Sequence, residues 1–173
     1  MIEKISTSLI IVASLVALPF AAAADILIYK ISDFQGRMVD LANGNANSLT
    51  PVHSYLATGE AQQNWQFIFA AHGDTGEYFI SNAGVPSSAL SYSTAILANG
   101  TAEKHVQIVG NRATDVRATT FWELSLVDAS TVSLREKKSG LAMTAWPAGE
   151  SKSSPLTLEE YNRTEPRQKF FLV

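Results

Sequence analysis

Gln63-Asn64-Trp65-Gln66-Phe67 alternates polar with large apolar residues, and the chain returns to this pattern at Thr120-Phe121-Trp122-Glu123-Leu124 and at Gln168-Lys169-Phe170-Phe171-Leu172. Alternation with period two marks a strand that buries one face. Each segment closes a longer unit. Ile28-Tyr29-Lys30-Ile31, a glycine turn and Met38-Val39-Asp40-Leu41 precede the first. Tyr78-Phe79-Ile80-Ser81 and Ala89-Leu90-Ser91 precede the second, and Val132-Ser133-Leu134-Arg135 and Gly140-Leu141-Ala142-Met143-Thr144 the third. The chain therefore reads as three weakly similar units of about fifty residues. None is large enough to bury its own apolar face, so the three must share a core, and a threefold closed barrel achieves that without exposed sheet edges. Trp65, Trp122 and Phe170 are the expected core residues, because large aromatics that close each unit fill a shared interior.

Turn signals separate the strands at Phe34-Gln35-Gly36, Asn43-Gly44-Asn45, His72-Gly73-Asp74-Thr75-Gly76, Asn99-Gly100, Lys138-Ser139-Gly140 and Ala148-Gly149. Further strand texture lies at Val106 to Val109 and at Phe170 to Val173. Ahead of the first unit, one Lys, an apolar run from Leu9 to Phe20 and the small residues Ala22-Ala23-Ala24 have the form of a secretion signal. Residues 1–24 are thus expected to be a signal peptide and 25–173 a single secreted, extracellular domain. The run is about half the ~20 residues that span a bilayer as a helix, which argues against membrane insertion.

The net charge of −3 offers no basic patch for nucleic acid or an anionic membrane. The chain has no cysteine, which excludes disulfides, thiol catalysis and thiolate metal sites. No cofactor motif is present. Asn99-Gly100-Thr101 and Asn162-Arg163-Thr164 fit the N-glycosylation pattern.

The Gly-x-x-x-Asp of Gly36 to Asp40 and the Gln-x-Trp of Gln63 to Trp65, with its decayed copies, resemble the ricin-B-type β-trefoil lectins, most closely the secreted, cysteine-free fungal members. The resemblance implies an all-β trefoil, a six-stranded barrel capped by three hairpins with a pseudo-threefold repeat. It also implies a shallow sugar pocket in each unit. In the first unit Asp40 falls on the family's Asp position, Tyr55 on its aromatic platform, His53 where a Gln is usual and Gln62 where an Asn is usual. Gln63 then has a mainly structural place beside the Asp. Such residue types suit a glycan or glycoprotein partner: a carboxylate accepts hydrogen bonds from two vicinal hydroxyls, and an aromatic face covers the C–H face of a pyranose.

The second unit has Ser91 at the Asp position, Gln107 at the Gln position and Val109 at the platform, and is expected to be inactive. The third has Thr144 and Glu159 at the Asp and platform positions, with Trp146 and Asn162 nearby, so an altered site stays open there. One complete pocket predicts weak monosaccharide affinity, with avidity drawn from an extended glycan or from homo-oligomerisation.

An enzymatic role is not expected. Asp74-Thr75-Gly76 is a single copy of a tripeptide that aspartic proteases need twice. His53, His72 and His105 lack metal-ligand spacing and read as surface or edge histidines. The alternative to a lectin is a β-trefoil protease inhibitor acting through surface loops, with Glu136-Lys137-Lys138-Ser139 as the first loop to consider.

Overall fold

The computed structural model describes residues 26–70, 76–97, 100–114 and 120–173. The signal-peptide reading, His72, Asp74, Thr75 and Asn99 lie outside the described residues. The described residues form twelve strands: β1 (Ile26–Ser32), β2 (Met38–Leu41), β3 (Thr50–Tyr55), β4 (Asn64–Phe69), β5 (Glu77–Asn82), β6 (Ser88–Tyr92), β7 (Ile108–Arg112), β8 (Phe121–Leu126), β9 (Val132–Glu136), β10 (Ala142–Ala145), β11 (Ser153–Glu159) and β12 (Phe171–Leu172).

The apolar alternation of the aromatic strands becomes a barrel wall. β1, β4, β5, β8 and β9 pair in that order, all antiparallel. The ring closes where β12 pairs with β1 and Phe170 bridges Val132 of β9. Three hairpins, β2–β3, β6–β7 and β10–β11, cap one end. They join one another through β3–β7 and β3–β11 pairing and the Gln107–Thr157 bridge. This is the six-stranded, three-hairpin architecture that the resemblance implies.

Trp65, Trp122 and Phe170 are all fully buried, together with Ile31, Ile80 and Leu134 of the barrel and Val39, Leu90 and Met143 of the hairpins. Each such side chain contributes roughly 1.5–3 kcal/mol of burial free energy. The two indoles solve their polar problem in the same way: Trp65 Nε1 donates to the Val39 carbonyl at 2.8 Å, and Trp122 Nε1 to the Leu90 carbonyl at 3.0 Å. Phe170 has no N–H to satisfy.

A carboxylate or amide folds each turn that leads into a hairpin. Asp33 Oδ1 accepts from the Gln35 and Arg37 amides, Asn82 Oδ1 from Gly84 and Val85, and Glu136 Oε2 from Ser139. Gly36 supplies the left-handed residue of the first of these turns at φ +75°. Where the hairpins converge, a Cβ on Gly110 would lie 2.3 Å from Ser88 Oγ of β6 and 2.5 Å from Leu41 Cδ1 of β2, so a larger residue there would have to push those side chains aside. Two strand limits differ from expectation. β7 starts at Ile108 because Val106 and Gln107 still belong to the connection, and Phe170 makes its bridge one residue before β12.

Candidate functional site

The β2–β3 hairpin brings the first-unit residues together by register. Asp40 faces His53 directly across the pair, and Met38 faces Tyr55. Asp40 is 3% exposed and Gln63 is fully buried. Gln63 Nε2 donates to Asp40 Oδ2 and to the Leu56 carbonyl, both at 2.9 Å, while its Oε1 accepts from the Thr58 amide at 2.9 Å. The amide thus ties β2, the chain leaving β3 and the start of β4 into one frame. On the other carboxylate oxygen, His53 Nε2 lies 3.2 Å from Asp40 Oδ1. The imidazole in turn stacks on Tyr55, with centroids 5.4 Å apart and planes 20° from parallel. Gln62 is half-buried, and its carbonyl accepts from Asn82 Nδ2 at 2.8 Å.

Asp40, His53, Tyr55 and Gln63 therefore share one neighbourhood, with Gln62 beside it only as the chain neighbour of Gln63, but Asp40 forms its floor rather than its open surface. His53 closes over the carboxylate, and the groups that meet solvent are the His53–Tyr55 stack and Gln62. A hydroxyl that reaches Asp40 must first exchange with the imidazole.

The second unit differs from its sequence reading. Ser91 pairs with Val109, and Ala89 with Asn111. Val109 consequently occupies the His53 position, and the platform position is Asn111. That residue is fully buried, its Oδ1 accepting from Leu49 N at 2.9 Å. Ser91 Oγ shares a 2.8 Å hydrogen bond with Thr120 Oγ1, a small-residue replacement for the Asp40–Gln63 pair.

The third unit keeps the frame and changes its contents. Thr144 faces Thr157 and Ala142 faces Glu159, the register of the first unit. Gln168 Nε2 donates to Thr144 Oγ1 at 3.0 Å and to the Glu160 carbonyl at 2.8 Å, and its Oε1 accepts from Asn162 N at 2.8 Å. Above this frame opens a cavity of about 530 Å³ whose lining includes Thr144, Trp146, Glu159, Asn162, Arg167 and His105. Trp146 Nε1 donates to Thr157 Oγ1 at 2.8 Å, and that hydroxyl donates to Glu159 Oε1 at 2.7 Å. His105 Nδ1 lies 3.1 Å from Glu159 Oε2. The Arg167 guanidinium sits 4.6 Å from the centre of the Trp146 ring.

Glu165 fixes Arg167 with two bonds of 2.8 and 2.9 Å. Those bonds hold the Glu165 carboxyl down at about 2. Lys104 pairs with Glu160 at 2.9 Å, which raises the lysine and lowers the carboxylate.

His105 was expected to be an ordinary surface histidine. Its side chain is 77% exposed, yet it pairs with Glu159 from a backbone at φ +68°. A non-glycine residue in that region costs about 1–2 kcal/mol. His105 belongs to the second unit, so spacing within one repeat could not reveal it, whereas Arg167 directly precedes Gln168 as Gln62 precedes Gln63, and that spacing could have found it. The Glu136–Ser139 segment is a tight turn, closed by the Gly140 amide on the Glu136 carbonyl at 2.8 Å. Lys137 there pairs with Glu77 and Glu123 instead of projecting. Among the described residues no His, Cys, Asp and Glu group of three or more is placed to hold a metal ion. No helix among them is long and apolar enough to cross a membrane.

No family model and no curated protein matches the chain. Solved structures match it in fold. The Rhizoctonia solani agglutinin superposes with a TM-score of 0.71 at 14% identity, covering 90% of this chain and 99% of its own. The designed threefold-symmetric protein ThreeFoil gives 0.70 at 20% identity, covering 84% and 97%. A non-toxic homologue of type II RIPs from Momordica charantia, in complex with α-methyl-D-galactoside, gives 0.60 at 20% identity, covering 85% of this chain and 47% of that one. The chain is a β-trefoil.

Proposed function

We propose that this protein is a secreted, non-catalytic lectin that binds glycans through the first trefoil unit. The observation that carries the reading is the Asp40–His53–Tyr55 array: a carboxylate anchored by Gln63, an imidazole on its second oxygen, and an aromatic ring stacked on that imidazole. Asp40 orients His53 and fixes its polarity. With Nε2 on Asp40, His53 Nδ1 and the Gln62 amide offer hydrogen bonds to vicinal hydroxyls, and Tyr55 supplies an apolar face for the sugar ring. A ligand that displaces His53 gains the carboxylate itself as a charge-assisted acceptor.

These terms amount to several kcal/mol before association costs of similar size, so monosaccharide affinity is expected in the millimolar to high-micromolar range, about −4 to −5 kcal/mol. An extended glycan or a second binding site raises it through avidity. Titration of a glycan panel against residues 25–173 is the test, with Asp40→Ala and Tyr55→Ala alongside. Binding that Asp40→Ala loses and Tyr55→Ala weakens supports the reading; binding that neither changes removes the site assignment, and a panel without any binder removes the lectin reading.

A further inference from the structure

The third-unit cavity contains the same two kinds of group as the first, a carboxylate and an aromatic ring, on exchanged strands. In the first unit the carboxylate is on the inner strand of the hairpin, as Asp40 of β2, and the aromatic on the outer, as Tyr55 of β3. In the third the carboxylate is on the outer strand, as Glu159 of β11, and the aromatic follows the inner strand, as Trp146 after β10. Thr144 at the Asp40 position is engaged by Gln168 and carries no charge. A ligand here cannot be held by the first unit's chemistry.

The chain's own side chains indicate what this arrangement accepts. Both key groups already hold nitrogen groups supplied in cis: Arg167 on the Trp146 ring at 4.6 Å, and His105 on Glu159 at 3.1 Å. Arg167 is committed, since Glu165 grips it through two bonds. Lys104 is committed to Glu160. His105 is the replaceable one, because its side chain is mostly in solvent and its backbone is held in the left-handed region. Glu159, with 14% of its side chain exposed, His105 Nδ1 close to both of its oxygens and Thr157 donating to Oε1, is the acceptor that a stronger cation would claim. An ammonium meets that need better than an imidazole: it presents three donors where the imidazole directs one ring nitrogen at the carboxylate. Trp146 beside it suits a saturated ring, and the cavity of about 530 Å³ admits one or two such rings.

We propose that the third-unit cavity binds a deacetylated amino sugar, its ammonium replacing His105 on Glu159 and its ring lying against the side of Trp146 that Arg167 does not cover. The site shares only the class of ligand with the first-unit reading and rests on a different carboxylate. N-acetylation of the ligand removes the charge and abolishes the preference.

Indole resonances give a direct readout. The chain has three tryptophans. Trp65 and Trp122 donate to backbone carbonyls in the core, whereas Trp146 donates to the hydroxyl that contacts Glu159. In a nitrogen-15 spectrum of residues 25–173, with Trp146→Phe to assign the signal, a glucosamine trimer is expected to shift the Trp146 indole N–H and leave the other two in place. Glu159→Gln should weaken this response by about tenfold or more, the value of a charge-assisted bond. The Trp65 and Trp122 signals report that the variant is folded. His105→Gly, which removes the competitor and suits the positive φ, should tighten binding severalfold.

Asp40→Ala should leave the response unchanged, so failure of the first-unit site and failure of this one are separable. The proposal is overturned if the trimer leaves the Trp146 signal unmoved, if Glu159→Gln responds like the parent, or if His105→Gly weakens binding. An N-acetylglucosamine trimer acting equally well, or a simple diamine reproducing the whole effect, overturns it as well.

Discussion

The first and third units use the same buried glutamine in the same way and surround it with different chemistry. Gln63 and Gln168 each donate to the residue at the inner-strand position and to a carbonyl beyond the outer strand, and each accepts one backbone amide. Only the inner-strand partner differs, a carboxylate at Asp40 and a hydroxyl at Thr144. The hydrogen-bond frame that shapes a unit is therefore separable from the groups that a ligand would meet, because backbone partners satisfy most of it. Such a frame can persist while the pocket above it changes. The second unit shows a further step, in which Ser91 and Thr120 replace both members with hydroxyls.

The comparison can be strained most severely at the glutamines. Gln63→Ala leaves a buried carboxylate with one oxygen unpaired, and urea denaturation should show a loss of about 3 kcal/mol or more. Gln168→Ala strands only neutral groups, so a loss of about 1–2 kcal/mol is expected. Equal losses would mean that Asp40 and Thr144 are equivalent to their frames.

A smaller effect concerns the aromatic that closes each unit. The third unit already packs Phe170 at this position, so Trp65→Phe should be tolerated at a cost of about 1–3 kcal/mol. The cost combines a cavity with an unpaired Val39 carbonyl. A thermal melt measures it, and a failure to fold would show that the first unit cannot follow the third.

Smaller again is the stacking contribution of Tyr55, half-buried at the mouth of the first site. Tyr55→Ala should weaken glycan binding by about 0.5–1.5 kcal/mol, roughly two- to twelvefold. Stability should change little, and isothermal titration beside a melt separates the two.

The smallest effect is in the pH profile of the third unit. Arg167 lowers Glu165 from 4.5 to about 2 in the folded chain. A depressed carboxyl stabilises the fold above its unfolded value and loses that contribution as pH falls through its folded value. Stability should thus decline from about pH 5 towards pH 2, and Glu165→Gln should flatten part of that decline. Asp128, held to about 2 chiefly by its hydrogen bond with Thr131, acts in the same window and accounts for some of what remains.

The barrel was legible because its signal is redundant. Trp65, Trp122 and Phe170 recur at the ends of three units, and burial of each is demanded by its own strand pattern. Asp40, His53 and Tyr55 fall side by side because a two-stranded hairpin keeps register with the chain, and Gln63 reaches Asp40 from the turn before β4. The closure of His53 over Asp40 was not legible, since it depends on side-chain geometry. The second unit was misread at Val109 because the β6–β7 connection is longer than that of β2–β3, and counting along the chain lost the register. His105 escaped because it crosses from one unit into the cavity of the next. Spacing within a repeat records only what that repeat contributes to itself.

The central claim is that glycans are recognised over Asp40 and Tyr55. Its most direct test is binding of a glycan panel to residues 25–173 and to the folded variants Asp40→Ala, Tyr55→Ala and Glu159→Gln. The account predicts at least one neutral glycan whose binding is lost in the first variant, weakened in the second and unchanged in the third. Neutral-glycan binding that survives Asp40→Ala and Tyr55→Ala but disappears with Glu159→Gln would contradict it.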